Sequence, residues 1–300
     1  MRKIHDLSVI IDGTGGDSGL EGGQLNQFEN DVERHLRECA STVVGKAVFT
    51  KIRAHGRVLM IPYTLSIDRF FKTGPINALS LGSYDSYRFG LGTAAKLGPF
   101  DLLHTNVVCF SPRRFDLIPA GSALHLAAGY RASDILFHEL VHAGRALGKE
   151  ADRDQALHGR LARYENEAEY FAVLITNIHM SEIGRPSPPN LLAHSAYPMV
   201  KRTNIRADHG VGELPAVLTD SDNFLYMPEN FRLVMKYWAQ HPTIAPMIAA
   251  SPARFNPVGT YKKWLTNGNA AIFQDHFWFP PALKKRLEDF AVAHAPRPLN

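Results

Sequence analysis

The segment from Ser133 to Arg145 reads SDILFHELVHAGR and carries the strongest motif in the sequence. At about 100° per residue on a helix, its two histidines, His138 and His142, lie about 40° apart on one face. Two imidazoles placed one turn apart can bind the same zinc ion. Glu139 points about 100° away from His138. This predicts that its carboxylate lies beside a metal-bound water and is not itself a metal ligand. The stretch therefore predicts an amphipathic helix that carries part of a zinc site.

The residues around the two histidines predict how this helix begins and packs. Ser133 is a favourable N-cap, and Asp134 suits the positive end of the helix dipole. The reverse face carries small or apolar side chains, namely Leu136, Phe137, Leu140, Ala143 and Gly144. We expect that face to pack on a core while the histidines face a cleft. Gly144 is expected to let a neighbouring element approach closely.

A catalytic zinc site needs a third protein ligand, and a second helix downstream offers candidates. The segment from Tyr164 to Asn177 reads YENEAEYFAVLITN. Glu165 and Glu169 share one helical face, whereas Glu167 lies about 160° from Glu169 and is expected to face elsewhere. The face of Glu169 continues through short side chains, which would let this helix lie close to the first one. The geometry favours Glu169 as the third ligand and leaves Glu165 open as the alternative.

Apolar runs and helical spacing outline the rest of the chain. Short strands are predicted at 7–11, 57–62 and 106–110. Helices are predicted at about 26–44, 46–54, 229–240 and 281–292, with Gly45 breaking the first and Gly56 as a left-handed cap after the second. The irregular stretch from about 63 to 103 is expected to be a surface excursion. A small β part followed by a larger helical part predicts an α+β fold, and 1–300 is expected to form a single domain.

Composition excludes several classes of protein. The chain has 300 residues, 45% of them hydrophobic and 21% charged, which is not the composition of a disulfide-dependent miniprotein, a collagen or a disordered tail. The formal net charge is only +4, and no basic stripe with interleaved aromatic residues indicates nucleic-acid binding. Cys39 and Cys109 form no CxxC pair, so we interpret both as buried thiols.

The sequence shows neither a membrane or secretion segment nor a complete nucleotide-binding motif. No apolar run approaches the roughly 18 residues of a membrane span, and the first residues do not enter the apolar core of a Sec signal. We therefore expect no membrane span, and either secretion by a route that does not use a Sec signal or a cytoplasmic location. The glycine-rich stretch after the first strand fails the GxGxxG pattern, because Ser18 occupies the third glycine position. It is interpreted as a flexible loop.

The two motif-bearing helices resemble those of known toxin peptidases. The run HELVHAG at 138–144 resembles the active helix of the clostridial neurotoxin light chains, and NEAEYFA at 166–172 resembles the third-ligand helix of the lethal-factor-like toxin peptidases. The combination also resembles the NleD-like bacterial effector peptidases, although Ala168 stands where their pattern has the first glutamate of a pair. The resemblance covers about 130–185. It implies a zincin-like fold of the gluzincin type, with one zinc ion held by His138, His142 and Glu169.

The same resemblance implies an activity and a setting. It implies a zinc metalloendopeptidase in which Glu139 is the general base, acting as a secreted bacterial effector on a protein of a host or competitor cell. One alternative is an intracellular housekeeping zinc peptidase. Another, of a different class, is a catalytically silent binding protein that zinc stabilises. The donor that stabilises the oxyanion stays open among His209, Tyr261 and Tyr164.

Overall fold

The structure of the chain is a computed structural model. It describes residues 2–13, 20, 22–56, 58–62, 78–80, 105–110, 112, 131–150, 154–158, 161, 164, 166–184, 221–225 and 228–266. Within these ranges the fold is α+β, as the sequence predicts, with a small mixed sheet and a larger helical part. The predicted helix at 281–292 and the glycine-rich residues 14–19 lie outside the described residues, as does most of the stretch 63–103.

The described strands form one five-stranded sheet in the order β1-β2-β3-β5-β4. The strands are β1 (Arg2–Ile4), β2 (Val9–Asp12), β3 (Val58–Pro62), β4 (Ala78–Ser80) and β5 (Thr105–Phe110). The three inner strands, β2, β3 and β5, run parallel, while β1 and β4 pair antiparallel at the two edges. The inner strands are the three that the sequence predicts, because parallel strands are covered on both faces and read as continuous apolar runs.

The described helices lie in two parts of the chain, the first two between β2 and β3 and the others after β5. They are α1 (Gly23–Ala40), α2 (Val43–Ala54), α3 (Ala132–Leu147), α4 (Glu167–Glu182), α5 (Ser221–Leu225), α6 (Pro228–Gln240), α7 (Ile244–Ala249) and α8 (Pro257–Thr266). The predicted helix at 229–240 is confirmed as α6. None of the helices in the described ranges combines the length and the apolarity that crossing a bilayer requires.

The predicted break at Gly45 is wrong. Helix α1 ends at Ala40, and Gly45 lies inside the first turn of α2. Thr42 starts α2 as an extended N-cap, and its Oγ1 accepts a hydrogen bond from the Gly45 amide at 2.8 Å. A Cβ at Gly45 would lie 1.7 Å from the carbonyl oxygen of Cys39, so this glycine permits a close approach of the two helices. The left-handed position at Gly56 is confirmed by its φ of +62°.

The start of the histidine-bearing helix also differs from the prediction. Ser133 is not the N-cap, because α3 begins at Ala132 and Arg131 occupies the extended cap position. The Arg131 carbonyl accepts the amide hydrogens of Asp134 and Ile135, so its backbone already opens the helix. Asp134 lies in the first turn, where its charge favours the positive end of the helix dipole.

Helices α3 and α4 sit at the centre of the described core. Helix α3 contacts strands β4 and β5 on one side and helices α1, α2 and α4 on others. The side-chain amide of Asn106, on β5, donates to the Ala143 carbonyl of α3 at 3.3 Å. Helix α4 is covered all round, since every residue in 169–180 is buried. Two rigid, buried helices are therefore available to hold side chains at fixed separations.

Candidate metal centre

Helix α3 places the two histidines as the spacing predicts. The ring centroids of His138 and His142 lie 4.7 Å apart with the rings nearly perpendicular. Their Nε2 atoms are 3.0 Å from each other, so both point at the same small volume. The His138 side chain is 2% exposed and that of His142 is 21% exposed. The site is thus closed behind His138 and open to solvent beside His142.

Helix α4 brings Glu169 to the same point. The Asn166 side chain caps this helix by accepting the amide hydrogen of Glu169 at 2.9 Å, which fixes the first turn. From that turn, Glu169 Oε2 lies 3.2 Å from His142 Nε2, and Oε1 lies 3.5 Å from His138 Nε2. Glu165, the other carboxylate favoured by the sequence, lies outside the described residues. We call His138, His142 and Glu169 the ligand group.

The charges of this group influence its titration. Burial raises the pKa of Glu169, but hydrogen bonds and charge attraction from His138 and His142 outweigh burial and hold that pKa well below its usual range. Burial lowers the pKa of His142, but its hydrogen bond with Glu169 and the charge of Glu139 outweigh burial and raise that pKa. Glu169 is therefore a carboxylate at neutral pH, as a metal ligand must be.

The ligand group fits a metal ion in its donor chemistry and in its spacing. One ligand atom from each of the three residues lies within 4.8 Å of the others. Glu169 Oε1 is buried and faces His138 Nε2 at 3.5 Å. Two imidazole nitrogens and one carboxylate oxygen form a donor set found in catalytic zinc sites. Within the described ranges, no fourth histidine, cysteine, aspartate or glutamate joins the group.

Glu139 lies where the helical spacing predicts, next to His138 on α3. Its side chain is buried, and its charge contributes to the raised pKa of His142. Glu139 is not part of the ligand group. A carboxylate that stands beside a metal site without belonging to its ligands can accept a proton there.

Glu167 is the other described carboxylate in the first turn of α4, two residues before Glu169. Glu167 faces away from the ligand group, as its position on the helix predicts, and pairs with Lys236 of α6. The short side chains that continue the face of Glu169 are buried, and α4 packs directly on α3. Gly144 faces α2, where a Cβ would lie 3.6 Å from Ile52. That is ordinary contact, so the close approach expected at Gly144 does not require a glycine.

Two of the three candidates for an oxyanion donor, Tyr164 and Tyr261, lie in the described part of the chain. His209 lies outside the described residues. The ring of Tyr164 packs edge-on against Tyr170, and Tyr261 packs against Phe231 of α6. Burial raises the pKa of Tyr261. Both tyrosines thus have packing roles, and a catalytic role for any of the three stays a prediction.

A second charged cluster at the end of α3 was missed by the sequence analysis. Arg145 binds Asp154, and its guanidinium also lies 3.6 Å from Glu150. Glu150 accepts from Lys51 at 2.6 Å and lies 3.3 Å from His241 Nε2. We call these five residues the Arg145 cluster. Lys51 and His241 are far in sequence from Arg145, Glu150 and Asp154, so no local spacing predicts that the five meet.

Titration in the Arg145 cluster differs from that in the ligand group. Burial lowers the pKa of Lys51 to about 8, although Glu150 opposes that change. Burial and the charges of Lys51 and Arg145 lower the pKa of His241 to about 2. His241 is therefore a neutral histidine beside Glu150 and two cations, whereas His142 faces the carboxylates of Glu139 and Glu169.

Comparison with protein-family models, curated proteins and solved structures finds no match for this chain. The resemblance to toxin peptidases therefore rests on the motif-bearing residues of about 130–185.

Proposed function

We propose that this chain is a zinc-dependent metalloendopeptidase of the gluzincin type that hydrolyses a peptide bond in a protein substrate. The observation that carries the proposal is the convergence of His138, His142 and Glu169, whose ligand atoms lie within 4.8 Å of one another. These residues come from two buried helices, and the donor set leaves a fourth coordination position for water and substrate. A zincin-like fold agrees with the packing of α3 between the sheet and α4.

The residues of the site divide into ligands and a base. His138, His142 and Glu169 would hold the ion. When bound, zinc supplies a Lewis acid and a water of lowered pKa. Glu139 would accept a proton from the attacking water and return it to the leaving amine. The burial of Glu139 limits the motion of its carboxylate, and the exposed side of His142 is where a substrate chain can enter.

The donor set favours a catalytic site over a structural one. Structural zinc sites have four protein ligands and are usually rich in cysteine. Here Cys39 and Cys109 are buried and outside the ligand group. Glu139 has no role in a purely structural site. A zinc-stabilised but inactive binding protein would hold the ion and cleave nothing, which makes it an outcome of the test below.

The first experiment measures zinc per mole of protein after purification without chelator. We expect close to one zinc in the wild type and a large loss in Glu169→Ala. The control is Glu182→Gln, at the other end of α4, where the carboxylate caps α2 instead and zinc should be retained. If Glu169→Ala keeps its zinc and Glu165→Ala loses it, the third ligand is Glu165, one helical turn earlier. A wild type that binds no zinc after reconstitution would overturn the proposal.

The second experiment separates binding from catalysis. The zinc-loaded wild type and Glu139→Gln are incubated with a proteome-derived peptide library, and new termini are identified by mass spectrometry. We expect Glu139→Gln to keep its zinc and lose about 10²- to 10⁴-fold in cleavage rate, the usual contribution of a general base. Zinc binding without any cleavage by the wild type would favour the inactive binding protein.

We also propose that the peptidase acts as a secreted or translocated bacterial effector on a protein of a host or competitor cell. The support is the resemblance of the two motif-bearing helices to toxin and effector peptidases. Expression of the wild type in bacterial and eukaryotic cells should slow growth in at least one, while Glu139→Gln should not. Equal growth of both strains in both hosts would favour a housekeeping peptidase.

A further inference from the structure

The position of Glu169 depends on how α4 begins, because this residue lies in the first turn of that helix. The Asn166 cap fixes the turn itself, but it does not fix where the turn lies relative to α3. A carboxylate ligand must lie within about 0.5 Å of its productive position for a metal site to work well. Some other contact must therefore hold the start of α4 against the histidine-bearing helix.

The segment that precedes α4 in the chain provides part of that contact. Ala156 and Asn166 form an antiparallel β-bridge. The amide of Glu167 donates to the Gln155 carbonyl at 3.0 Å, and the amide of Gln155 donates to Glu167 Oε2 at 3.3 Å. Residues 155 and 156, next to Asp154, are thus joined to the start of α4 by the bridge, by one main-chain hydrogen bond and by one hydrogen bond to the Glu167 carboxylate.

The same segment is joined to α3 through an ion pair. Asp154 accepts from the guanidinium of Arg145, which is on α3 one turn after His142. The Arg145 side chain is 2% exposed and lies over the ring of Phe171 on α4, 4.7 Å from its centroid. One buried cation therefore contacts both the segment that holds α4 and α4 itself.

A third element completes the arrangement. Lys236, on α6, pairs with Glu167 Oε2, the atom that also accepts from the Gln155 amide. The Glu167 carboxylate is buried and the Lys236 side chain is partly exposed. Glu167 is thereby held on two sides, and α4 cannot turn about its axis without losing both contacts.

We propose that Asp154 and Glu167 are positioning residues for the metal. They hold the start of α4, and with it the Glu169 carboxylate, at the distance from the histidines that a shared ion requires. Neither residue belongs to the ligand group. This inference rests on the proposed zinc site, and it identifies which residues outside that site determine its affinity.

The test measures metal affinity rather than activity. Zinc affinity is determined by competition with a fluorescent chelator, and the absorption spectrum of the Co²⁺-loaded protein reports the geometry of the ligands. We expect Asp154→Asn to weaken zinc binding tenfold or more, as is typical when partners that orient metal ligands are removed, and to change the Co²⁺ spectrum. Glu167→Gln should do the same. The double variant should lose less than the product of the two single losses, because both act on one helix start.

A matched control separates positioning from general destabilisation. Glu182 lies at the opposite end of α4, where its carboxylate accepts from the amides of Val43 and Val44 at 2.6 and 3.1 Å. It also accepts from the hydroxyl of Ser251 at 2.8 Å. We expect Glu182→Gln to lower the free energy of unfolding while leaving zinc affinity and the Co²⁺ spectrum as in the wild type.

The outcomes are distinguishable. Zinc affinity within twofold of the wild type and an unchanged Co²⁺ spectrum in Asp154→Asn would overturn the inference and leave the proposed function standing. An equal loss of affinity in Glu182→Gln would overturn it too, since stability alone would then explain the loss. If Asp154→Asn does not fold, Lys236→Gln replaces it in the test, because the Lys236 side chain is partly exposed. We expect Lys236→Gln to weaken zinc binding by a smaller factor than Asp154→Asn. Zinc affinity equal to that of the wild type in Lys236→Gln would then overturn the inference. A wild type without zinc would overturn the proposed function itself.

Discussion

Helix α3 carries two charged clusters side by side, and they differ in what completes them. The ligand group presents imidazole nitrogens and a carboxylate at 3.0 to 3.5 Å from one another. The Arg145 cluster presents carboxylates at similar distances, but Lys51 and Arg145 supply its positive charge. Under the proposed function the ligand group takes its cation from solution, whereas the Arg145 cluster contains two cations of its own, Lys51 and Arg145. Both clusters are largely buried and rich in charged groups, so burial and charge density do not distinguish them, whereas the balance of charge within each cluster does.

The largest effect is expected from removing the internal cation of the Arg145 cluster. Arg145→Met should lower the free energy of unfolding of the metal-free protein by about 3–5 kcal/mol, because it leaves buried carboxylates without a partner. Chemical denaturation measures this loss. Arg37→Met is the matched control, since Arg37 pairs with Asp6 and Glu33 at the surface and should cost at most about 1 kcal/mol. Similar losses in both variants would contradict the comparison.

The next effect comes from supplying a cation to the ligand group. Zinc at 100 times its dissociation constant should raise the free energy of unfolding of the wild type by about 2.7 kcal/mol, because it binds only the folded chain. Thermal denaturation with and without zinc measures this increase. Glu182→Gln should show the same increase, and Glu169→Ala should show almost none. If zinc raises the free energy of unfolding equally in the wild type and in Glu169→Ala, the ion binds at another site.

The two clusters should also differ in how their histidines, His142 and His241, titrate with pH. The pKa of His142 is raised above 6.5, so the stability it contributes is present below that pH and is lost as pH rises through the folded value. The pKa of His241 is lowered to about 2, so the stability it contributes above pH 6.5 is lost as the pH falls. NMR titration of the metal-free protein should show His142 charging above pH 6.5 and His241 staying neutral where ordinary histidines titrate.

Denaturation at several pH values checks the same point. His142→Gln and His241→Gln should change the slope of stability against pH in opposite directions. Changes of the same sign in both variants would mean that the two clusters do not differ in their charge balance.

The smallest effect is expected at Gly144, which separates the two clusters along α3. Gly144→Ala should raise the free energy of unfolding by about 0.5–1 kcal/mol, because alanine favours a helix interior and its methyl would lie in ordinary contact with Ile52. Zinc affinity should not change. Gly45→Ala is the counterpart in α2, where the new Cβ would meet the Cys39 carbonyl and destabilise the protein. Destabilisation by Gly144→Ala would show that α2 packs more tightly there than the distances indicate.

The sequence predicts those features that depend on local spacing. The one-turn separation of His138 and His142 fixes their common face, and the opposite placement of Glu167 and Glu169 follows from the same geometry. The inner strands were found because they are short apolar runs. Strand β4 was not, because three residues within an irregular stretch carry no alternation signal.

What the sequence could not predict depends on contacts between distant segments. Thr42 starts α2 at a position that periodicity had assigned to the end of a longer helix, and only the approach of Cys39 to Gly45 explains why the glycine is there. The Arg145 cluster joins residues 51, 145, 150, 154 and 241 of the sequence. Its pairing has no periodic pattern and becomes visible only when the helices are assembled.

The burial of residues 169–180 of α4 bears on how long a bound ion would stay. A helix covered on all sides can separate from its neighbours only when they separate from one another, so we expect its amide hydrogens to exchange with deuterium through global unfolding. Local opening of the chain then offers the ion no exit. The residence time of the metal would be set by ligand exchange at the solvent-facing side of His142, and chelators should strip the protein at a rate that depends little on its stability.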